Sequence, residues 1–228
     1  MTGILGGMGP YATIAFYQKI LDITDVKKDS DHIHLLIDSN TKIPSRNRHF
    51  IFNEESPVDK MVKSINGMKK LGIKRVYLPC NSASYFIPEI LKYTKDVDVI
   101  GTIDVTVEYI SKNYDKKRCM VLGAFIVYNK EPYREKLQAK GFKYIKYNED
   151  LQKEVEDIIY GIKDNNISEK LVESTFELYN KIIAEYDIDI LILGCTELCI
   201  VFDKLKNLNV EIVDTNYVLA QYLVKRED

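Results

Sequence analysis

Two cysteines with matching surroundings are the side chains of this 228-residue sequence best suited to chemistry. Cys80 and Cys195 each follow an apolar run, and polar residues of the kind that begin helices come next, at 81–84 and 196–197. The free N–H groups at the start of a helix stabilise negative charge on a thiolate. Each of these two thiols is therefore predicted to exchange a proton readily.

A matched pair of thiols can invert a carbon stereocentre. One thiolate removes a proton from the carbon while the other thiol adds a proton to the opposite face. The two groups exchange roles in the reverse reaction, which is why the same residue type is needed twice. Backbone N–H groups, together with an arginine or lysine on a carboxylate, would stabilise the carbanion. The pair predicts racemisation without a cofactor, whereas Cys119 and Cys199 are interpreted as buried apolar filler.

The elements that must position these thiols follow from hydrophobic patterning. Short apolar runs alternate with longer segments of helical period, the pattern of parallel βαβ units, so the predicted fold class is α/β. Ligands bind such sheets at the carboxyl ends of the strands, where both thiols are expected. The predicted strands are 2–5, 34–37, 75–79, 97–101, 119–122, 143–147, 188–193 and 210–213. The predicted helices are 12–23, 57–71, 131–139, 149–162 and 168–185.

The two halves of the chain repeat each other. Gly6 and Gly123 each follow a strand and are 117 residues apart, and Cys80 and Cys195 are 115 residues apart. The near-equal offsets predict two similar α/β domains with parallel sheets, related by a pseudo-twofold axis. The first domain is predicted to comprise 1–99 with 210–228, and the second 100–209. In the first repeat, the glycines at 6, 7 and 9 predict either a tight turn or an anion site at a helix start.

Composition excludes several classes of protein. The chain is 46% apolar, and its 32 basic and 34 acidic residues leave a net charge of −2, so neither nucleic acid nor an anionic membrane is an expected partner. Three histidines and the absence of a Cys-x-x-Cys pair argue against a metal site. No leader-like or membrane-spanning run is seen, so a cytoplasmic protein is expected. The carboxyl-terminal residues 225–228 are predicted to be solvated.

Four motifs then give the sequence a specific resemblance. They occur in order along nearly the whole chain and read Gly3-Ile4-Leu5-Gly6-Gly7-Met8-Gly9-Pro10, Asp38-Ser39-Asn40-Thr41-Lys42-Ile43-Pro44-Ser45-Arg46, Pro79-Cys80-Asn81 and Leu193-Gly194-Cys195-Thr196-Glu197-Leu198. With these motifs the sequence resembles the aspartate/glutamate racemase family. Glu197 is similar to the aspartate branch, since glutamate racemases tend to have histidine there.

The resemblance implies a pyridoxal-phosphate-independent isomerase that needs neither cofactor nor metal. Its substrate would be a small acidic amino acid, aspartate first and glutamate second. The resemblance also implies an active site in the cleft between two α/β domains and, commonly, a homodimer. Cys80 and Cys195 would be the acid/base thiols. The residues expected at the substrate are Met8, Arg46, Asn81, Ser82, Lys163, Thr196 and Glu197.

Three departures from the family pattern affect these expectations. Ser84 stands where family members often have histidine, and Ser45 replaces an aspartate beside Arg46. In the second glycine loop, Ala124 replaces the threonine of an expected Gly-Thr motif, and Val127 replaces a further threonine. If those hydroxyl groups help to hold a carboxylate, the loop alters substrate binding rather than proton transfer.

Other functions are compatible with parts of the sequence. The superfamily includes hydantoin racemases, maleate isomerases and decarboxylases, which could use the same two cysteines. A non-catalytic amino-acid-binding protein would explain the altered loop at 123–128. An NAD-dependent oxidoreductase is a third alternative, because residues 7–12 fit G-x-G-x-x-A and Asp38 ends the second strand.

Overall fold

The computed structural model describes residues 1–115, 117–164, 167–202 and 210–227. The chain divides into two compact units, Met1–Val105 with Asn216–Asp228, and Thr106–Thr215. Each unit contains one four-stranded sheet in which all strand pairs are parallel. The predicted α/β class with two parallel sheets is confirmed.

The sheet of the first unit has the order β2-β1-β3-β4. Its strands are β1 Thr2–Gly6, β2 Leu35–Ser39, β3 Arg75–Leu78 and β4 Asp98–Gly101. Helical segments connect them, because parallel neighbours need crossover connections. The helices that begin in this unit are α1 Pro10–Ile23, α2 Arg46–Phe52, α3 Val58–Lys70, α4 Asn81–Ser84, α5 Ile87–Ile90 and α6 Thr102–Asn113.

The second unit repeats this arrangement, with the strand order β6-β5-β7-β8. Its strands are β5 Arg118–Leu122, β6 Lys143–Ile145, β7 Ile190–Leu193 and β8 Glu211–Asp214. The later helices are α7 Phe125–Lys130, α8 Arg134–Ala139, α9 Glu149–Lys163, α10 Glu169–Glu185, α11 Leu198–Phe202 and α12 Thr215–Glu227. All eight predicted strands are present with small changes at their ends, and the repeated strand order agrees with the repeated motifs.

The unit boundaries differ from the predicted domains in two places: residues 100–105 lie in the first unit rather than the second, and β8 lies in the second unit rather than the first. The prediction assigned 210–228 to the first domain. In the structure β8 pairs with β7 from Ile190↔Glu211 to Leu193↔Asp214, so this strand belongs to the second sheet. Only α12 returns to the first unit, where Leu219 and Leu223 pack in one cluster with Ile4, Phe16 and Tyr77.

Several helices were not predicted or were predicted wrongly. Helices α6, α7 and α12 were missed, and the predicted helix 131–139 begins only at Arg134, because Glu131 ends α7 in a left-handed conformation with φ 45°. Arg46, which no predicted helix included, is the first residue of α2. Ser45 caps this helix by accepting a hydrogen bond from the Arg48 N–H at 3.3 Å, so the serine that replaces aspartate keeps the capping function.

The predicted solvation of the carboxyl end is wrong for Glu227. Its carboxylate accepts hydrogen bonds from the Thr2 hydroxyl at 2.5 Å, from Arg75 and from the Tyr77 hydroxyl at 3.2 Å. These bonds attach the end of α12 to the beginnings of β1 and β3, and Asp228 lies outside the described residues. Among the described helices, none is both long enough and apolar enough to cross a membrane.

Candidate active site

Cys80 lies at the carboxyl end of β3, as predicted, and is the N-cap residue of α4. Its side chain is 7% exposed, and its Sγ lies 3.6 Å from the carbonyl oxygen of Met8, to which the thiol donates. The Ser84 hydroxyl donates to the Cys80 carbonyl at 2.9 Å. The backbone of Cys80 is thus fixed by α4 while its thiol points to the turn that follows β1.

The carbonyl of Met8 connects Cys80 to Arg46. Arg46 donates from Nη2 to this carbonyl at 2.8 Å and from Nη1 to the Pro44 carbonyl at 3.2 Å. Its Nε is buried and has no hydrogen-bond partner among the described residues. A buried N–H without a partner costs about 1–3 kcal/mol, so a bound carboxylate would find a donor here that the protein leaves unused. Cys80, Met8 and Arg46 form one cluster.

The glycine turn after β1 holds the Met8 carbonyl in place. Gly7 has φ +83°, and a Cβ there would lie 2.5 Å from backbone atoms of Asn40, so only glycine fits. The Gly7 N–H donates to the Thr13 hydroxyl at 2.9 Å, and that hydroxyl donates to the Gly9 carbonyl at 2.9 Å. Of the two predicted roles for these glycines, the geometry favours the tight turn, since Thr13 already uses the Gly7 N–H.

Asn81 and Ser84 attach α4 to the end of β4. The Thr102 hydroxyl donates to Asn81 Oδ1 at 2.9 Å, and the Thr102 N–H donates to the Ser84 hydroxyl at 3.0 Å. Asn81 is 2% exposed, whereas Ser82 is half-buried in the same short helix. Ser84, at the position where a histidine was expected, therefore supports the backbone around Cys80.

Cys195 lies two residues beyond β7 and contacts Glu197. The Cys195 thiol donates to Glu197 Oε2 at 2.9 Å, and the two side chains are 7% and 3% exposed. The other carboxylate oxygen, Oε1, is buried without a hydrogen-bond partner among the described residues, and Lys163 Nζ lies 3.9 Å from it. A carboxylate at this distance can take the proton of the thiol, and the lysine at the end of α9 offsets its charge. Thr196, between the two residues, is 1% exposed.

The backbone turn that carries Cys195 is closely packed. A Cβ on Gly194 would lie 2.6 Å from the Val121 side chain and 2.9 Å from the Leu122 carbonyl, so glycine is required before Cys195. The Thr215 hydroxyl donates to the Leu193 carbonyl at 2.8 Å and fixes the end of β7. The second unit therefore brings Cys195, Thr196, Glu197 and Lys163 together.

The other two cysteines have structural surroundings. Cys119 lies inside β5, and burial raises the pKa of its thiol to about 12, so it remains protonated at neutral pH. Cys199 is fully buried in α11, with its Sγ 3.7 Å from the Cys195 carbonyl and 3.8 Å from the Leu193 carbonyl. Both positions agree with the predicted filler role.

The second glycine turn lacks the hydroxyl that organises the first. Val127 packs where a Cβ of Gly123 would lie, 2.6 Å away, and Ala124 begins α7 without a side-chain cap. Here Gln152 fixes the turn instead, by donating to the Gly123 carbonyl at 3.2 Å, and the Tyr147 hydroxyl donates to Gln152 Oε1 at 2.5 Å. Neither Gln152 nor Tyr147 was predicted from the sequence. The available signal was a polar residue within the apolar stripe of α9, next to Leu151.

Comparisons with known proteins show which proteins the chain is similar to. The family model described as Asp/Glu/Hydantoin racemase matches residues 5–223. The broad specificity amino-acid racemase RacX of Bacillus subtilis is 29% identical over 234 residues, which cover 98% of this chain and 96% of that protein. The glutamate racemase of Persephonella marina is 28% identical over 176 residues, or 76% of this chain and 66% of the relative.

Solved structures show the same fold. The Picrophilus torridus aspartate racemase superimposes with a TM-score of 0.87 and 26% identity, covering 99% of this chain and 93% of that one. The glutamate racemase of Francisella tularensis, in complex with D-glutamate, gives a TM-score of 0.69 at 15% identity, covering 99% and 80% of the two chains. The second similarity concerns the fold alone.

Proposed function

The chain belongs to the Asp/Glu/hydantoin racemase family, and from this premise we propose that it interconverts L- and D-aspartate by proton transfer between two cysteines. As a member of a racemase family it is an isomerase, which argues against the NAD-dependent oxidoreductase alternative. Aspartate is favoured by Glu197 in the Cys195-Thr196-Glu197 motif and by the similarity to an aspartate racemase structure. Glutamate is the second acidic substrate.

In the proposed reaction, the thiolate of Cys80 removes the proton from Cα of one enantiomer. An S–H bond forms, the Cα–H bond breaks, and the electron pair passes into the carboxylate as an enediolate. The Cys195 thiol then delivers its proton to the opposite face of Cα and becomes the thiolate. The opposite enantiomer reacts in the reverse direction, with the two cysteines exchanging roles. No electron donor or acceptor is needed.

The observation that carries the proposal is the buried contact between the Cys195 thiol and Glu197 at 2.9 Å. A thiol that serves only as filler needs no buried carboxylate beside it, and a carboxylate so deeply buried is costly unless it is paired or hydrogen-bonded. Glu197 can hold the proton of Cys195 when the thiolate is required and return it afterwards. Lys163 at 3.9 Å offsets the negative charge of this pair.

The remaining proposed roles concern binding. Arg46 is proposed to hold a substrate carboxylate, with its unused Nε as donor. Lys163 is proposed as the second cation, and Asn81, Ser82 and Thr196 as polar residues at the substrate. Met8 is proposed to contribute through its carbonyl, which accepts hydrogen bonds from both Cys80 and Arg46.

The test of this function is a chiral assay of the purified protein with L-aspartate or D-aspartate, without pyridoxal phosphate. We expect either enantiomer to approach a 1:1 mixture and, in heavy water, to gain deuterium at Cα. A protein that binds aspartate without catalysing any exchange would instead support the non-catalytic alternative and contradict the proposal.

A second candidate function is racemisation of neutral amino acids. Its supporting observation is the loop at 123–128, in which Ala124 and Val127 provide no hydroxyl group, and a relative of similar length is named a broad specificity amino-acid racemase. Comparing kcat/KM for aspartate, glutamate, alanine and leucine separates the two. If kcat/KM for aspartate exceeds that for the neutral substrates by about 100-fold or more, the assignment to acidic amino acids holds. Equal values, shifted toward aspartate by Val127→Thr, would favour the second candidate.

A further inference from the structure

The first unit contains a cavity that the proposed reaction does not use. It has a volume of about 750 Å³ and lies between α3 and the face of β2 that carries Leu36 and Asp38. The strand β2 is at the edge of the sheet, and α3 packs over its neighbour β1, where Met68 contacts Gly3. This face of β2 is therefore left uncovered. The cavity is therefore a consequence of the sheet order.

Four lysines from two parts of the chain line this cavity. Lys42 comes from the loop after β2, and Lys60, Lys63 and Lys70 recur along α3. Within the described part of the chain, none of these four ammonium groups has an ion-pair partner. Other lysines do: Lys69 of the same helix, which is outside the lining, pairs with Asp96 at 3.1 Å.

The charge in the cavity contrasts with the chain as a whole. Asp38 is the one acidic residue of the lining, so the lining contains four basic residues and one acidic residue in a protein of net charge −2. Like charges in one concave surface repel each other, and the low dielectric of the walls concentrates their potential. An anion with several charges would remove this repulsion.

We propose that this cavity binds a small molecule that carries two or more phosphate groups. Lysine ammonium groups bind phosphate as point charges and do not need the planar geometry of a carboxylate. Asn40 and Ser64, held together by a hydrogen bond from Asn40 Nδ2 at 2.9 Å, add polar groups to the lining. The apolar side chains of Leu36 and of the exposed Leu71 provide a surface for a nucleobase, so a nucleoside polyphosphate would use more of the cavity than pyrophosphate alone.

The test is calorimetric titration of the full chain with pyrophosphate, with ATP in the presence of EDTA, and with adenosine, at about 50 mM salt. We expect saturable one-to-one binding of ATP, with pyrophosphate bound more weakly and adenosine not detectably. The affinity for ATP should fall steeply as salt is raised. Saturable binding of adenosine alone would overturn the phosphate assignment, as would the absence of saturable binding of both phosphates at millimolar concentrations.

A pair of variants locates the site. The double variant Lys60→Gln with Lys63→Gln should weaken ATP binding by about tenfold or more, equivalent to about 1.4 kcal/mol. The control is Lys69→Gln with Lys112→Gln, which removes the same charge from lysines that are outside the lining and are paired with acids. Equal weakening in both proteins would show non-specific attraction and overturn the site. This binding test does not use racemase activity, so its failure and the failure of the proposed function are separate results.

Discussion

At the scale of single residues, the second unit contains a group of three titratable side chains, Cys195, Glu197 and Lys163. A thiol is a weak base until its proton leaves, and Glu197 is placed to take that proton at 2.9 Å. Lys163 offsets the charge of the carboxylate without forming a hydrogen bond to Oε1. We therefore propose that Glu197 acts through Cys195, as a positioning residue for it.

Replacing Glu197 by glutamine tests this role. The amide keeps the shape but cannot take a proton from sulfur, so we expect Glu197→Gln to lower kcat by about 100-fold, with little change in KM. Restoring activity at higher pH, where solvent removes the thiol proton, is part of the expectation. The control is Glu154→Gln, a surface residue paired with Lys181. An unchanged kcat and pH profile in Glu197→Gln would contradict the role.

Arg46 offers a second residue-level test. Lysine keeps the charge but cannot reproduce the guanidinium hydrogen bonds to Met8 and Pro44 while also presenting Nε. We expect Arg46→Lys to raise KM by about tenfold or more, and more strongly than it lowers kcat. Arg48→Lys, on the same helix and paired with Glu54, is the matched control. A KM like that of the wild type would rule out Arg46 as the carboxylate ligand.

At the scale of elements, a contact between α9 and the turn after β5 replaces, in the second unit, the hydroxyl group that fixes the corresponding turn of the first unit. Gln152 links Tyr147 to the Gly123 carbonyl, and its Nε2 also donates to Glu156 at 3.0 Å. Burial raises the pKa of Tyr147 well above its ordinary value, so its hydroxyl remains a donor. A polar network of this kind is stabilising only when all of its members are satisfied.

Removing members of this network should be non-additive. Gln152→Leu and Tyr147→Phe are each expected to lower the free energy of unfolding by about 1–3 kcal/mol, because each leaves a buried polar group unpaired. The double variant should cost less than the two single costs together, as measured by urea unfolding. Gln138→Leu on exposed α8 is the control. Strict additivity would show that the two side chains do not act as one network.

The ion pair between Arg118 and Asp189 joins the beginnings of β5 and β7. Hydrogen bonds from the Arg118 side chain and then from its backbone N–H lower the pKa of Asp189 from 3.8 to about 2. The carboxylate therefore contributes stability above about pH 5, and this contribution is lost as the pH falls toward 2.

We expect Asp189→Asn to be less stable than the wild type at pH 7 and to lose less stability between pH 5 and pH 2. Urea unfolding across this pH range checks the prediction, with Asp157→Asn on the surface of α9 as control. The prediction fails if the variant and the wild type lose the same stability on acidification.

The strands and helices differ in how well the sequence predicts them. Strands were predicted well because buried parallel strands appear as short apolar runs between turn residues. Helix α6 was missed because its β-branched residues, such as Ile103, Val105 and Thr106, favour strands locally, and packing overrides that preference. The positions of Cys80 and Cys195 at strand ends were predictable from the repeat. The Met8 carbonyl and the Gln152 contact were not, because backbone groups and side-chain orientations leave no pattern in residue types.

At the scale of the whole molecule, the end of α12 contacts the beginning of the first strand. Glu227 accepts hydrogen bonds from Thr2, Arg75 and Tyr77. The helix α12 therefore belongs to the first unit although it follows the second unit in the sequence. Burial raises the pKa of Glu227, but the hydrogen bonds from Thr2 and Arg75 outweigh it and the net pKa is lowered. The first unit therefore depends on residues from both ends of the sequence, while each unit supplies one of the two proposed thiols.

The central claim is that racemisation needs one cysteine from each unit. Its most direct test is the initial rate of aspartate racemisation, started from each enantiomer, in Cys80→Ala, Cys195→Ala and the control Cys119→Ala. We predict that the first two variants each lose activity by about 1000-fold or more, while the control stays within about tenfold of the wild type. A rate within about tenfold of the wild type in either Cys80→Ala or Cys195→Ala, from either enantiomer, would contradict the two-cysteine mechanism.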